Sequence, residues 1–118
     1  MATVLKLFKV ERAGKALVLT PQRELRELEH QEIAAELRPL LDDPEVRRVV
    51  VDFGHTDYFG STALGLLTWL LRRVQERDGR MAFCNASVHE REILAVTGLA
   101  ALWPIYSSRE EALRAVAR

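Results

Sequence analysis

One cysteine in 118 residues, Cys84, leaves no internal disulfide and no site built from several thiolates. It stands in the apolar run Met81-Ala82-Phe83-Cys84, where a thiol is expected to be buried and inert. An excess of one charge is also missing, since 17 basic residues balance 17 acidic ones. Nucleic-acid binders concentrate Lys and Arg on one face because phosphate contacts dominate their affinity, so no direct nucleic-acid partner is expected. The arginines lie beside glutamates in helical segments, as on solvated helix faces. No apolar stretch approaches the roughly 20 residues of a membrane span. Lys6 and Lys9 interrupt the short apolar start that a secretory signal would need unbroken. A cytoplasmic protein with no membrane insertion is the expectation. Neither Gly-x-x-x-x-Gly-Lys-[Ser/Thr] nor Gly-x-Gly-x-x-Gly occurs, so both glycine-rich phosphate cradles are absent. The spaced clusters typical of metal sites are missing too, although His55-Thr56-Asp57 and His89-Glu90 each pair two ligand types. The plainer reading of these is two polar loop residues and a solvated helix start.

What is present reads as one domain spanning 1–118, of a size for a single core. Val4 to Val10 and Ala16 to Thr20 are expected strands, joined by a turn over Glu11-Arg12-Ala13-Gly14-Lys15 into an antiparallel hairpin. From Gln22 onward a helix follows, with Ile33, Leu37, Leu40 and Leu41 on one face and Pro39 kinking or stopping it. Val46 to Phe53, with Val49-Val50-Val51, has the unbroken apolar character of a central strand covered on both faces. A helix from Ser61 carries Ala63, Leu66, Leu67, Leu70, Leu71 and Val74 at helical spacing and closes at Gly79. Arg72, Arg73 and Arg77 suit the negative end of its dipole. Arg80 to Asn85 is the next strand. Ser87-Val88-His89-Glu90 has capping-box spacing and opens a helix to Thr97, stopped by Gly98. Leu102 to Tyr106, interrupted by Pro104, suits an edge strand, with Trp103 buried in it. Ser108-Arg109-Glu110-Glu111 is a second capping box and starts the last helix. The fold class is therefore α/β: a mixed, mostly parallel sheet with an N-terminal antiparallel hairpin and about four helices.

Function in such sheets tends to sit at the carboxyl ends of central strands. Here that place is Asp52-Phe53-Gly54-His55-Thr56-Asp57-Tyr58-Phe59-Gly60-Ser61. Serine is a strong N-cap residue, which alone would account for Ser61. The two capping boxes elsewhere carry glutamate three residues on, whereas Leu64 occupies that position after Ser61. The first turn thus leaves its amides and positive dipole end without an acidic partner, and an anion such as a phosphate would be stabilised there. A nucleophile elbow would need Gly-x-Ser-x-Gly, and Gly60-Ser61-Thr62-Ala63 fails that frame on both sides. His30, His55 and His89 are the available bases for a triad, and none carries a signature.

The stretch Phe59-Gly60-Ser61-Thr62-Ala63-Leu64-Gly65 resembles the STAS domain of anti-sigma factor antagonists, with its valine-rich strand, its Asp-Ser-[Ser/Thr]-Gly-Leu-Gly loop and its amphipathic helix. The likeness continues through Arg80 to Asn85 and through Ile93-Leu94-Ala95-Val96-Thr97-Gly98-Leu99. The resemblance implies a STAS-like single domain and a non-catalytic partner-switching role. In that family the unphosphorylated antagonist docks on an anti-sigma kinase, which phosphorylates the serine with ATP held on its own side. A phosphatase reverses the step. Ser61 takes the phosphoacceptor position and Thr62 is the second hydroxyl. Asp57, Tyr58, Gly60, Ser61, Thr62, Leu64 and Gly65 are the expected partner-binding residues, with no cofactor or metal of the chain's own. Gly60 replaces the family's aspartate and Ala63 the following glycine. Two other functions are carried as alternatives: a STAS accessory subunit of a lipid-transport ATPase, docking without phosphorylation, and a small serine-dependent hydrolase.

Overall fold

The computed structural model describes residues 2–5, 7–22, 30–56 and 61–117, and gives the backbone alone for Ala2, His30, Ser61, Thr62 and Ala63. The elements are β1 (Ala2–Val4), β2 (Phe8–Ala13), β3 (Ala16–Pro21), α1 (His30–Leu41), β4 (Arg48–Asp52), α2 (Ser61–Glu76), β5 (Arg80–Cys84), α3 (Val88–Val96), α4 (Leu99–Leu102), β6 (Ile105–Tyr106) and α5 (Arg109–Val116). The strands form one sheet in chain order. β1, β2 and β3 pair antiparallel, while β3, β4, β5 and β6 run parallel. The mixed α/β sheet with an antiparallel start is the architecture that the alternation of elements predicts.

Each parallel crossover steps the same way along the sheet, so the right-handed rule places α1, α2 and α3 on one face. There Ile33, Leu37, Leu67, Leu70 and Leu94 pack on Leu17, Leu19, Val49, Val51 and Phe83. Each such leucine contributes about 1.5–3 kcal/mol by leaving water. On the other face α5 lays Ala112 and Val116 over Ala16, Val18, Val50, Ala82 and Cys84. Three alanines in that contact let the short helix lie close. Val49, Val50 and Val51 are fully buried between the two layers. Cys84 is buried, and desolvation, then the negative charge of Asp52, pushes its thiol up to about 12. It stays protonated and unreactive at neutral pH.

Several boundaries differ from expectation. The run Val4 to Val10 is two strands, because Leu5 N–H closes on the Phe8 carbonyl at 2.7 Å and turns the chain. Leu7 is carried into the core, and its N–H is taken by the Glu36 carboxylate at 3.0 and 3.1 Å. No glycine, proline or asparagine marks that turn, so the apolar alternation hides it. β2 extends to Ala13, and the hairpin turn shrinks to Gly14 and Lys15, with Gly14 left-handed at φ 62°. Pro39 stands inside α1, and the helix ends two residues later; the part of that helix expected before His30 lies outside the described residues. The expected strand Leu102 to Tyr106 keeps only Ile105 and Tyr106 at the sheet edge, because Leu99 to Leu102 continue as a helical turn. Trp103 caps that turn and is partly exposed, not buried in a strand.

Gly79 closes the α2 connection for a reason other than backbone freedom. The left-handed residue is Asp78, at φ 53°. A Cβ on Gly79 would stand 2.2 Å from the Arg47 carbonyl oxygen, so the position lets β4 and β5 start side by side. Gly98 is left-handed at φ 82°, as a helix stop should be, and a Cβ there meets nothing within 4 Å. Gly79→Ala is expected to cost about 2 kcal/mol from forced backbone movement, and Gly98→Ala about 1 kcal/mol from conformational strain alone. Urea unfolding of both variants measures the difference. Arg73 and Arg77 also act away from their own helix: Arg73 pairs with Asp42, and Arg77 donates to the carbonyls of Leu41 and Asp43 at the end of α1.

Candidate functional site

β4 lies between β3 and β5, so its carboxyl end opens at the middle of the sheet edge. Asp52, the last residue of β4, is 5% exposed. Its Oδ1 accepts from the Gly54 N–H at 2.9 Å and from Asn85 Nδ2 at 3.0 Å. Its Oδ2 accepts from Arg109 Nε at 3.0 Å and pairs with Nη2 at 2.9 Å. The same guanidinium donates to Glu11 Oε1 at 2.8 Å and to Thr20 Oγ1 at 3.4 Å. One arginine at the start of α5 thereby ties together β2, β3 and β4. Burial pushes the Asp52 carboxyl upward, but donors from Asn85, Gly54 and Arg109 outweigh it and hold the pKa below its usual value. The Arg109 hydrogen bond likewise lowers Glu11. Arg109 itself is raised, since bonds to Glu11 and Asp52 outweigh its desolvation.

The chain leaving β4 is held a second time. Thr56 is buried, its N–H donates to the Phe53 carbonyl at 3.1 Å, and its Oγ1 donates to Glu90 Oε2 at 2.6 Å. Glu90 Oε1 accepts from the Ser87 N–H at 2.9 Å, and Ser87 Oγ accepts from the Glu90 N–H at 3.1 Å. The expected capping box is present, but its glutamate is fully buried, so the reading of His89-Glu90 as a solvated helix start is wrong. Capping the helix and holding Thr56 satisfies the carboxylate from both sides, which is why it can be buried. In the second box Ser108 Oγ accepts from the Glu111 N–H, while the Glu111 carboxylate accepts from the hydroxyls of Ser107 at 2.6 Å and Ser108 at 3.2 Å.

Helical backbone begins at Ser61, and the first turn of α2 holds no acidic residue. Of the expected site residues, Asp57, Tyr58 and Gly60 lie outside the described residues, as does Phe59. Ser61 and Thr62 are placed by backbone only, at the start of α2. Leu64 is half-buried against the main core, and Gly65 beside it is exposed. Trp69 also packs partly on that core, with the Arg73 guanidinium 5.9 Å from its ring centroid. Asp52, Thr56, Asn85, Glu90 and Arg109, none of them read from the sequence as a site residue, fasten the strand end and the loop start. Asp52 carried one usable signal, a carboxylate directly after three buried valines. Val88, in the first turn of α3, is 75% exposed and follows β5 at the same edge of the sheet. Among the described residues, no three of His, Cys, Asp and Glu converge as a metal site, and no helix is long and apolar enough to cross a membrane.

This geometry has counterparts. BtrV of Bordetella bronchiseptica, assigned as an anti-sigma factor antagonist, is 32% identical over 85 residues, which cover 72% of each chain. The solved anti-sigma-factor antagonist (STAS) domain protein of Planctomyces limnophilus superposes with a TM-score of 0.82 at 31% identity, over 94% of this chain and 98% of that one. The Bacillus cell fate determinant SpoIIAA in its phosphorylated form superposes with a TM-score of 0.75 at 23% identity, over 92% and 98% of the two chains. The STAS domain model matches residues 8–112, all but the ends of the sequence. With its three-stranded antiparallel start, its parallel crossovers and its helix opening at Ser61, the chain belongs to the STAS domain family.

Proposed function

We propose that this chain is an anti-sigma factor antagonist of the partner-switching kind, binding an anti-sigma kinase until Ser61 is phosphorylated. The observation that carries this reading is the first turn of α2, which starts at Ser61 and contains no acid. It stands at the carboxyl end of the buried central strand, in a chain whose relatives are assigned as anti-sigma factor antagonists. Free N–H groups at a helix start accept a hydroxyl or a phosphate without a change of fold. A phosphoserine adds about −1.5 to −2 charges to the docking face, which a partner built for a neutral surface must then desolvate. The fastened strand end at Asp52 and loop start at Thr56 support the same reading, because a docking loop anchored where it leaves the sheet loses less freedom on binding. Leu64, Gly65 and Val88 would complete the contact beside Asp57, Tyr58, Gly60, Ser61 and Thr62. The chain itself is not an enzyme in this reading. ATP enters on the kinase, a phosphatase resets the serine, and the cytoplasm is where the exchange takes place.

Incubation with anti-sigma kinases and ATP, followed by phosphate mapping by mass spectrometry, tests the proposal. Label on Ser61, or on Thr62, is the expected result. Gly60 in place of the family's aspartate favours a second reading, docking without phosphorylation as an accessory subunit of a lipid-transport ATPase. Stable co-purification with a transporter subunit and no label would decide for it.

A further inference from the structure

The opposite end of the sheet, where β3, β4 and β5 begin, carries a group of cations that the switch does not use. Arg48 and Arg80 are register partners on adjacent parallel strands, about 4.8 Å apart at the backbone and on the same face. Residues 48, 50 and 52 share that face with Ala82 and Cys84, the face that α5 covers. Lys15 joins them from the β2–β3 turn, and Arg47 from the chain entering β4. Among the described residues none of these four makes an ion pair. Like charges in neighbouring register positions destabilise a sheet unless something of opposite sign is near.

The four line a polar groove of about 690 Å³ together with Arg12, against only two carboxylates, Glu45 and Asp78. Arg12 is drawn towards Asp43 at 3.8 Å. A second cavity of about 520 Å³ adjoins the first and shares Gly14, Lys15 and Arg48 with it. Its lining is mostly apolar, with Ala13, Ala16, Leu113 and Ala117, and includes Arg114. The cations therefore line a trough made of two adjoining cavities, the second of them with an apolar lining.

We propose that this trough docks an acidic segment of a protein partner, with its carboxylates on Arg48, Arg80 and Lys15 and an apolar side chain over Ala13 and Leu113. Guanidinium forks take carboxylates in paired hydrogen bonds, which suits two arginines side by side. Arg48 and Asp52 stand at the two ends of β4, about 13 Å apart along the strand. The trough and the Ser61 face can thus be occupied at once, and this inference stands independently of the phosphorylation proposal.

The probe is a fluorescein-labelled peptide, Glu-Asp-Leu-Asp-Glu-Phe-Glu, followed by fluorescence anisotropy with the full chain. Binding is expected, weakening as salt is raised and falling by about tenfold or more when Arg48→Glu and Arg80→Glu are combined. Lys15→Glu, on an exposed turn, is expected to weaken it as well, and it carries the test if circular dichroism shows the double variant unfolded. Ser61→Asp is expected to bind the peptide as the unaltered chain does. No binding, or a change under about twofold in the charge reversals, overturns the assignment. So does loss of peptide binding in Ser61→Asp, which would put the peptide at the other end of the sheet. Displacement by tripolyphosphate at concentrations as low as those of unlabelled peptide would make this a small-anion site and also overturn it. Retention on phosphatidylserine vesicles without peptide binding would do the same in favour of a lipid surface.

Discussion

Ser61→Asp is expected to weaken binding to an anti-sigma kinase by about 100-fold, or about 2.7 kcal/mol, with thermal stability unchanged or slightly raised. The two readouts point in opposite directions for one physical reason. A carboxylate at the start of a helix meets its amides and the positive end of the dipole, so the isolated chain loses no stability and can gain a little. The same carboxylate on the docking face must shed its water against a partner that offers no cation in return. Ser61→Ala is expected to bind but to remain bound when kinase and ATP are added. Calorimetric titration beside thermal unfolding separates a loss of docking from a loss of fold. Ser61→Asp binding as tightly as the unaltered chain would end the switch proposal.

Asp52→Ala is expected to destabilise the fold by about 3–5 kcal/mol, since it leaves a partly buried guanidinium with one carboxylate fewer and strips the acceptor from Gly54 and Asn85. The sign of its pH dependence follows from the direction of the shift. The folded pKa of Asp52 lies below the unfolded one, so its contribution is present above about pH 4, the unfolded value, and is lost as pH falls through the folded value. The Glu11 shift runs the same way. The unaltered chain should thus lose stability steeply on the acid side. Asp52→Ala should start lower and show a shallower acid slope, and denaturant unfolding at a series of pH values measures both. An unchanged slope would mean that the Asp52 carboxylate is not held by Arg109 in solution.

These two residues also mark how far the sequence could be read. Ser61 was legible only in part: the absence of an acid in the first turn is visible in the chain itself, but α2 takes Ser61 as its first helical residue, so the capping position expected of it falls on Gly60, outside the described residues. The role of Arg109 was hidden, because its partners lie 57 and 98 residues away. In sequence it is one more arginine beside glutamates. Glu90 shows the same division. Its capping position was plain from Ser87, whereas its burial depends on Thr56, 34 residues earlier.

The sequence alone determined the alternation of strands and helices from β3 to α3, the doubly covered Val49-Val50-Val51 strand and the polar start of α2, since each depends on residues within one or two turns of one another. Tertiary structure alone decided the break between β1 and β2, the loss of most of the last strand to α4, the need for glycine at 79 and the side-by-side placement of Arg48 and Arg80. Those features come from backbone hydrogen bonds and close approaches between distant segments, for which a one-dimensional pattern carries no signal.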